Sequence, residues 1–302
     1  MRGETEVLFH GVRGSAPTSG LAYAEFGGDT PAIEIRAPDA RLFLDAGSGV
    51  RNAAAAARQG DIDLVLTHYH YDHLIGLPFF EPAWRQIGRL RVWAPVLEDR
   101  RPEDVLGAFF RAPYCPVGLS DFKMAAEILA FRPGDTLDVG GGVAVSTMLG
   151  AHPGGCAVLR MKTAAGDIVY ASDIEAASAR EAARLAMFAR GADLLIIDSM
   201  NDDMTAPHRR GWGHSSWREA ACVGAAAGAR SIALFHHDPR ADDDRLNRID
   251  AEAQAFEPRA FLARQGSRAV LNSRGGGERR SLERRRATDD GDAANQVLSR
   301  RR

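Results

Sequence analysis

The stretch THYHYDH at residues 67–73 decides how the rest of the sequence is interpreted. It places three histidines and one aspartate directly after a short apolar run that is typical of a buried strand. At the end of an extended strand, residues two apart face the same way, so His68 and His70 can bind one ion together. The chain must then turn, and the turn presents Asp72 and His73 to a neighbouring ion. This loop therefore predicts half of a two-metal site.

An accidental polar loop is the competing interpretation of this stretch. A single His-x-His pair is weak evidence for a metal, because paired histidines also occur as ordinary surface or core residues. Here three imidazoles and a carboxylate lie together beside an apolar strand, where burial alone gives them no advantage. We therefore prefer the metal-site interpretation.

Further residues of the same kind follow apolar runs along the chain. They are Asp45 in Leu-Asp-Ala-Gly, His152 in Ala-His-Pro, Asp173 in Tyr-Ala-Ser-Asp and His236 in Leu-Phe-His. With them, the sequence resembles the metallo-β-lactamase superfamily from near its N-terminus to about Pro239. The resemblance implies an α/β (α+β) protein, a four-layer αβ/βα sandwich, with metals at the edge where the two sheets meet.

The resemblance also implies a role for each candidate ligand. It assigns His68, His70 and His152 to the first metal ion and Asp72, His73 and His236 to the second. Asp173 is assigned as the carboxylate that bridges both ions. Asp72 is in addition a candidate catalytic residue. His237 competes for the last position, and the Leu-x-His spacing of the family selects His236. Asp45 is either a turn residue before Ala-Gly or an acceptor for a ligand histidine.

The chemistry of these ligands suggests the metal and the reaction. Imidazole and carboxylate ligands suit Zn²⁺ best and Mn²⁺ or Fe next, so we expect two divalent metal ions, with zinc favoured. Two such ions lower the pKa of a shared water, and the bridging hydroxide can attack a substrate. Hydrolysis is therefore the expected reaction.

A second motif, GWGHSS at residues 211–216, suggests the substrate class. A serine here predicts a helix cap, which places His214 just before a helix N-terminus that favours an anion such as phosphate. The motif resembles the phosphodiesterase branch of the superfamily, which includes RNase Z and the phosphoribosyl cyclic phosphodiesterase. In that branch the histidine is a phosphate ligand or proton donor. His214 is thus the second candidate catalytic residue, and a small or cyclic phosphodiester is the expected substrate.

Other substrates and roles follow from differences within the family. RNase Z enzymes insert a tRNA-clamping arm between His152 and Asp173, and the 21 residues here leave no room for one, so tRNA is disfavoured. The cyclic phosphodiesterase has a cysteine-rich zinc site that Cys115, Cys156 and Cys222 cannot supply. A thioester or lactone hydrolase of the same fold is the alternative, and a non-catalytic docking domain is a weaker one.

The order of predicted elements agrees with a layered fold. Short runs rich in Val, Ile, Leu and Phe predict strands, and stretches of helical period occur between several of them, at residues 50–58, 102–110, 174–190 and 216–228. Strand pairs and βα units are mixed, which favours an α/β or α+β sandwich over a helical bundle. The uncharged stretch 139–159 contains six glycines, so we predict two strands and a loop there and no membrane span.

Composition divides the chain into two parts. The 302 residues include 38 lysines and arginines against 40 acidic residues, and a net charge of −2 gives no global field for nucleic acid or anionic membrane. Residues 274–302 contain nine arginines and five acidic residues with few apolar ones. We therefore predict a hydrolase domain over 1–273 and an Arg-rich, disordered tail over 274–302 that could contact a polyanion.

Cysteine use and the first residues suggest a compartment. Three cysteines without a Cys-x-x-Cys pair indicate neither a disulfide framework nor a thiolate zinc site. The charged start MRGETEVLFH does not match a secretory signal. We therefore expect a cytoplasmic protein, and a homodimer is compatible with the sequence.

Overall fold

Two sheets face each other at the centre of the protein, and helices lie against their outer faces. The computed structural model describes residues 3–53, 60–85 and 87–272, and the backbone of Leu282–Arg286. Among these residues, no helix has the length and apolar character that crossing a membrane requires.

The first sheet combines antiparallel and parallel strands. Its eight strands are β1 (Glu4–Gly11), β2 (Ala32–Ala37), β3 (Ala40–Leu44), β4 (Ile62–Val65), β5 (Arg89–Pro95), β6 (Ala125–Phe131), β14 (Ser267–Asn272) and β15 (Leu282–Arg286). They lie in the order β15-β14-β1-β2-β3-β4-β5-β6. The strands from β3 to β6 run parallel, so the carboxyl ends of β3 and β4 reach the same edge.

The second sheet has the same mixed character. Its seven strands are β7 (Thr136–Asp138), β8 (Ala144–Gly150), β9 (Cys156–Lys162), β10 (Asp167–Ala171), β11 (Leu194–Asp198), β12 (Ile232–Phe235) and β13 (Ala260–Leu262). They lie in the order β13-β12-β11-β10-β9-β8-β7, and the strands from β10 to β13 run parallel. The stretch 139–159 contains β8, a loop and the start of β9, as predicted.

Five α-helices cover the outer faces. They are α1 (Glu81–Arg85), α2 (Pro102–Phe109), α3 (Ala179–Phe188), α4 (Trp217–Ala227) and α5 (Asp243–Phe256) within the described residues. The N-cap residues of the last three are Ser178, Ser216 and Asp242, and each of these side chains accepts a hydrogen bond from a backbone N–H of the first turn. Short 3₁₀ turns occupy Leu21–Tyr23, Ser48–Asn52, Tyr71–His73, Leu77–Phe79, Leu119–Asp121 and Ala206–His208.

Three apolar clusters hold the layers together. The inner cluster lies between the sheets and includes Phe9 and Ile33 from the first sheet and Tyr170 and Phe235 from the second. A second cluster packs α3, α4 and α5 against the second sheet, and a third packs α1 and α2 against the first. This arrangement confirms the predicted four-layer αβ/βα sandwich.

Some elements differ from the sequence expectations. Helices were predicted correctly at α2, α3 and α4, but the stretch 50–58 gives only the turn Ser48–Asn52, and residues 54–59 lie outside the described part. In the predicted tail, Leu282–Arg286 pairs antiparallel with β14 as an edge strand. The rest of 274–302 lies outside the described residues, so the boundary after residue 273 stays a prediction.

Glu34 is a buried carboxylate on β2 that joins three neighbouring strands. Its oxygens lie 2.8 Å from His10 Nε2, 2.7 Å from Arg36 Nε and 2.7 Å from Arg41 Nε. Burial raises the pKa of Glu34, but the hydrogen bonds with His10 and Arg36 and the charge of Arg41 outweigh it and lower the pKa to about 2. This pKa lies below that of a glutamate in the unfolded chain. The ionised side chain therefore stabilises the fold at pH values above the pKa of the unfolded state.

Replacing Glu34 by Gln should lower the free energy of unfolding by about 3 kcal/mol at neutral pH, because the cationic partners lose a buried anion. The difference between parent and variant should hold down to about pH 5 and shrink as the pH falls towards the folded-state value. Urea unfolding at stepped pH values measures it. Glu181→Gln on α3, which removes a partly exposed pair with Arg184, should change stability little. A difference that stays constant down to about pH 3 would contradict the assignment.

Candidate metal centre

The candidate ligands lie at one edge of the sandwich, where strands of both sheets end. Residues 67–73 follow β4 of the first sheet, whereas His152, Asp173 and His236 follow β8, β10 and β12 of the second. Asp173 and His236 have positive φ values of 54° and 63°. Asp45, which follows β3, also has a positive φ, of 59°. A left-handed backbone is uncommon for residues other than glycine and occurs often at functional sites. The strand ends are therefore shaped to turn these side chains towards the site.

The first group of ligand atoms contains His68, His70, His152 and Asp173. His152 Nε2 lies 3.1 Å from His70 Nδ1. His68 Nε2 and His152 Nε2 each lie 3.8 Å from Asp173 Oδ1. Ligand atoms of three imidazoles and one carboxylate therefore lie within 4.8 Å of one another.

The second group contains Asp72, His73, Asp173 and His236. Asp173 Oδ2 lies 2.9 Å from His73 Nε2 and 3.2 Å from His236 Nε2. His236 Nε2 also lies 3.2 Å from Asp72 Oδ2. The two oxygens of Asp173 thus face different groups, so the structure brings all seven predicted ligands together as two adjoining sets that share one carboxylate.

The spacing and the donors of both groups fit metal ions. Two ligand atoms on one tetrahedral zinc ion, with bonds of about 2.0–2.1 Å, are about 3.4 Å apart, and the pairs here span 2.9–3.8 Å. Among the described residues, His68 Nε2 is buried without a hydrogen-bond partner. A buried polar atom of this kind is costly unless something binds it, and a metal ion would use its lone pair.

Electrostatics in the two groups differ. Burial lowers the pKa values of His68, His70 and His152, which favours the neutral imidazoles that bind metals. Burial also lowers the pKa of His73, but the carboxylates of Asp173, Asp72 and Asp45 outweigh it and raise that pKa well above its usual value. The second group therefore has the more negative electrostatic environment, because more carboxylates surround it.

Asp45 orients a ligand histidine. Its Oδ2 lies 2.8 Å from His73 Nδ1 and accepts a hydrogen bond from the Tyr170 hydroxyl at 2.9 Å. Its Oδ1 accepts from the Thr67 backbone N–H at 2.8 Å. A carboxylate on Nδ1 leaves Nε2 of His73 directed at the metal site. This geometry agrees with the second of the two interpretations of Asp45.

The structure distinguishes the two adjacent histidines after β12. His236 Nε2 belongs to the second group, whereas His237 Nε2 lies 2.8 Å from the Ala263 carbonyl oxygen in a buried site. Burial lowers the pKa of His237 to about 3. The family spacing therefore selects the residue that reaches the site.

His214 lies beside the second group and is held by a residue that the sequence analysis missed. His214 Nδ1 is 2.7 Å from Asp198 Oδ2, and its ring stacks on that of His236 at a centroid distance of 5.1 Å. Burial lowers the pKa of His214, but Asp198 and Asp173 outweigh it and raise the pKa to about 9. Asp198 ends the apolar run of β11, just as Asp45 and Asp173 follow apolar strands, and this pattern could have identified it.

The predicted helix cap is present, but the anion site at that helix end is not supported. Ser216 caps α4 and forms a capping box with Glu219, which occupies the backbone N–H groups of both residues. The Trp217 N–H donates to the Asn201 carbonyl oxygen. The first turn of α4 therefore offers fewer free donors to a phosphate than the sequence suggested.

Comparison with known proteins identifies the family. Residues 40–237 match the model of the beta-lactamase superfamily domain, which covers most of the chain, so the protein belongs to this superfamily. Ribonuclease Z of Thermoplasma acidophilum is 24% identical over 85% of this chain and 94% of its own length.

Two solved structures share the fold. The metallo-beta-lactamase fold protein YhfI from Bacillus subtilis aligns with a TM-score of 0.64 at 19% identity, covering 89% of this chain and 99% of its own. A diphosphatase from the PhnP family aligns with a TM-score of 0.62 at 14% identity, covering 89% of this chain and 98% of its own. At these identities the two structures establish the fold only.

Replacing Asp173 by Ala should disturb metal binding more than replacing Asp45 by Ala. Asp173 places one oxygen in each group, whereas Asp45 meets one candidate ligand, His73, on the side of its ring away from the site. After reconstitution with zinc and removal of free metal, elemental analysis should give about two ions for the parent and at most about one for Asp173→Ala. Asp45→Ala should retain more metal than Asp173→Ala. The reverse order, or a parent protein that retains none, would contradict the assignment.

Proposed function

We propose that this metal-dependent hydrolase is a phosphodiesterase that acts on a small or cyclic phosphodiester. The observation that carries the proposal is the His214–Asp198 pair, which lies outside the two ligand groups and against His236. Acyl hydrolysis needs no such additional histidine, whereas cleavage of a phosphodiester with a poor leaving group gains from a proton donor. A sequence relative named as a ribonuclease supports a phosphorus substrate.

The proposed site has separate metal and proton-transfer parts. His68, His70 and His152 would hold the first ion, Asp72, His73 and His236 the second, and Asp173 both. Zinc is the metal we propose, because imidazole and carboxylate donors suit it. Two bound ions supply a nucleophile at neutral pH and stabilise charge on phosphoryl oxygens.

His214 and Asp198 would handle the leaving group. The Nδ1–H of His214 donates to Asp198 Oδ2, which fixes the tautomer and leaves Nε2 to hold the exchangeable proton. That proton would pass to the leaving oxygen as its bond to phosphorus breaks. Asp72 would act by holding its ion, and the Ser15 backbone N–H, 2.7 Å from Asp72 Oδ2, orients this carboxylate.

A second candidate substrate is an RNA end. The alignment with the ribonuclease Z relative covers nearly the whole length of that protein. The expectation that tRNA is disfavoured is therefore not confirmed. A precursor tRNA therefore belongs in the substrate panel together with cyclic phosphodiesters. Thioesters and lactones represent the acyl alternative.

The zinc-loaded protein should hydrolyse bis(p-nitrophenyl) phosphate and at least one of the 2′,3′-, 3′,5′- and 1,2-cyclic phosphates faster than any thioester or lactone. His68→Ala, which removes a buried ligand, is the control that separates this activity from a contaminant. Cleavage of precursor tRNA alone would favour the RNA substrate. Turnover of acyl substrates only would overturn the proposal.

Replacing His214 by Ala should lower turnover of phosphodiesters with alkoxide leaving groups by about 10²–10⁴, the usual effect of positioned acid catalysis. The loss should be much smaller for p-nitrophenolate, which needs little protonation. Metal content should stay at the parent value. His208→Ala, an exposed histidine on the neighbouring turn Ala206–His208, should retain full activity.

Two results would contradict this role of His214. A variant that loses its metals would make His214 a ligand. A variant that cleaves alkoxide-leaving phosphodiesters at the parent rate would remove the main support for phosphodiester chemistry.

A further inference from the structure

The loop that leads to His214 is fastened to the segment directly after Asp173. Glu175 Oε2 accepts hydrogen bonds from the backbone N–H groups of Gly211 at 2.9 Å and Gly213 at 3.0 Å. Ser215 Oγ donates to the Ile174 carbonyl oxygen at 2.6 Å. The loop is thus tied on both sides of His214, and a carboxylate makes the tie on the Gly211 side.

The same fastening reaches a predicted metal ligand. The carbonyl oxygen of Gly213 lies 3.0 Å from His152 Nδ1 and accepts a hydrogen bond from the Nδ1–H, which leaves His152 Nε2 free to face the first group. The Glu175 backbone N–H donates to the Ala151 carbonyl oxygen at 2.9 Å. These contacts close a ring that runs from His152 through Gly213 and Glu175 back to Ala151.

Glycine at 213 is required by this ring, and the backbone at 211 also favours glycine. Both residues have positive φ, 82° and 87°, so their N–H groups can converge on one acceptor. A Cβ on Gly213 would lie 2.1 Å from His152 Nδ1. The motif Gly-Trp-Gly-His therefore reflects a close approach of backbone to the metal ligand and an anionic partner for two amides.

We propose that Glu175 is a positioning residue: it holds the segment 211–213 in place and thereby orients both His152 and His214. It acts through Gly213, whose carbonyl orients His152, and through the chain that continues into His214 and its contact with Asp198. The part that concerns His214 rests on the proposed phosphodiesterase function. The part that concerns His152 does not.

Glu175→Ala and Glu175→Gln form the matched pair for the test. The alanine variant loses the acceptor, whereas the glutamine oxygen can take the place of Oε2 between the two amides. Glu257→Ala is the control, since Glu257 also accepts a backbone N–H, that of Arg259, but lies near the amino end of β12, away from His236. If the alanine variant does not fold, Glu175→Asp, which is one methylene shorter, replaces it.

Three measurements test the positioning role of Glu175. Hydrogen exchange of a peptide that spans residues 211–213 should be faster in Glu175→Ala than in the parent, while Glu175→Gln and Glu257→Ala should match the parent. Chelator competition should show about 10–100-fold weaker retention of zinc in Glu175→Ala. With zinc saturating, turnover of alkoxide-leaving phosphodiesters should fall by at least about tenfold, and p-nitrophenyl substrates should be affected less.

A double-mutant cycle decides whether Glu175 acts through His214. Adding Glu175→Ala to His214→Ala should cause no further loss of zinc-saturated turnover, because the two act in series. A further tenfold loss, or an equal loss on both substrate classes, would overturn the action through His214. Unchanged exchange and unchanged zinc retention in Glu175→Ala would overturn the whole inference. If His214→Ala alone has no effect that depends on the leaving group, the proposed function fails, and zinc retention still decides the positioning of His152.

Discussion

The buried carboxylate of Asp173 is the constraint around which the site is built. Its side chain is almost fully buried, and its oxygens face two separate groups of imidazoles. An ionised carboxylate at such depth is costly unless cations or strong donors compensate it. Its pKa is lowered well below the usual value although burial raises it, because His236, His73 and His68 outweigh the burial. The neighbours of Asp173 must therefore be held at fixed distances, and the sandwich does this.

Those distances depend on packing between the sheets. The loop 67–73 belongs to the first sheet, whereas Asp173 and His236 belong to the second, so each group contains ligands from both. The inner apolar cluster between the sheets fixes their separation, and close-packed interiors do not deform continuously. Left-handed backbone at Asp173 and His236 then directs their side chains across the gap. A mutation in this core would reach the site by altering the distance between the two halves.

Local signals explain what the sequence could predict. The loop 67–73 carries four predicted ligands within one strand end, and Ser216 with Glu219 forms a capping box three residues apart. The layered α/β character followed from the strand and helix patterns, and the four-layer αβ/βα arrangement followed from the family resemblance. Helix α5 was missed because its only buried side chains are Leu246 and Ala253, so its apolar period is weak. The edge strand Leu282–Arg286 was missed because its sequence, LERRR, has no apolar alternation.

Contacts between residues that are distant in the chain could not be predicted. His214 and Asp198 are 16 residues apart and meet because the chain after β11 folds back, with Asn201 bridged to Ser216. Glu175 meets Gly213 across 38 residues, and nothing in the sequence marks a lone glutamate as the acceptor for two amides. The family spacing selects His236 over His237, and the structure supplies the physical reason, since positive φ at His236 ends the alternation of the strand.

Rigid support of the proposed proton donor distinguishes this site from one built on a mobile loop. Asp198 ends a buried strand, and its partner His214 stacks on His236, which follows the adjacent strand. The other side of the loop is bound to His152 through Gly213. A displacement of His214 would therefore disturb contacts of both ligand groups, and loss of either group would in turn loosen His214. The proposed metal ligands and the proposed proton donor share one support, so the placement of His214 relative to the two ligand groups follows from the strand order of the second sheet.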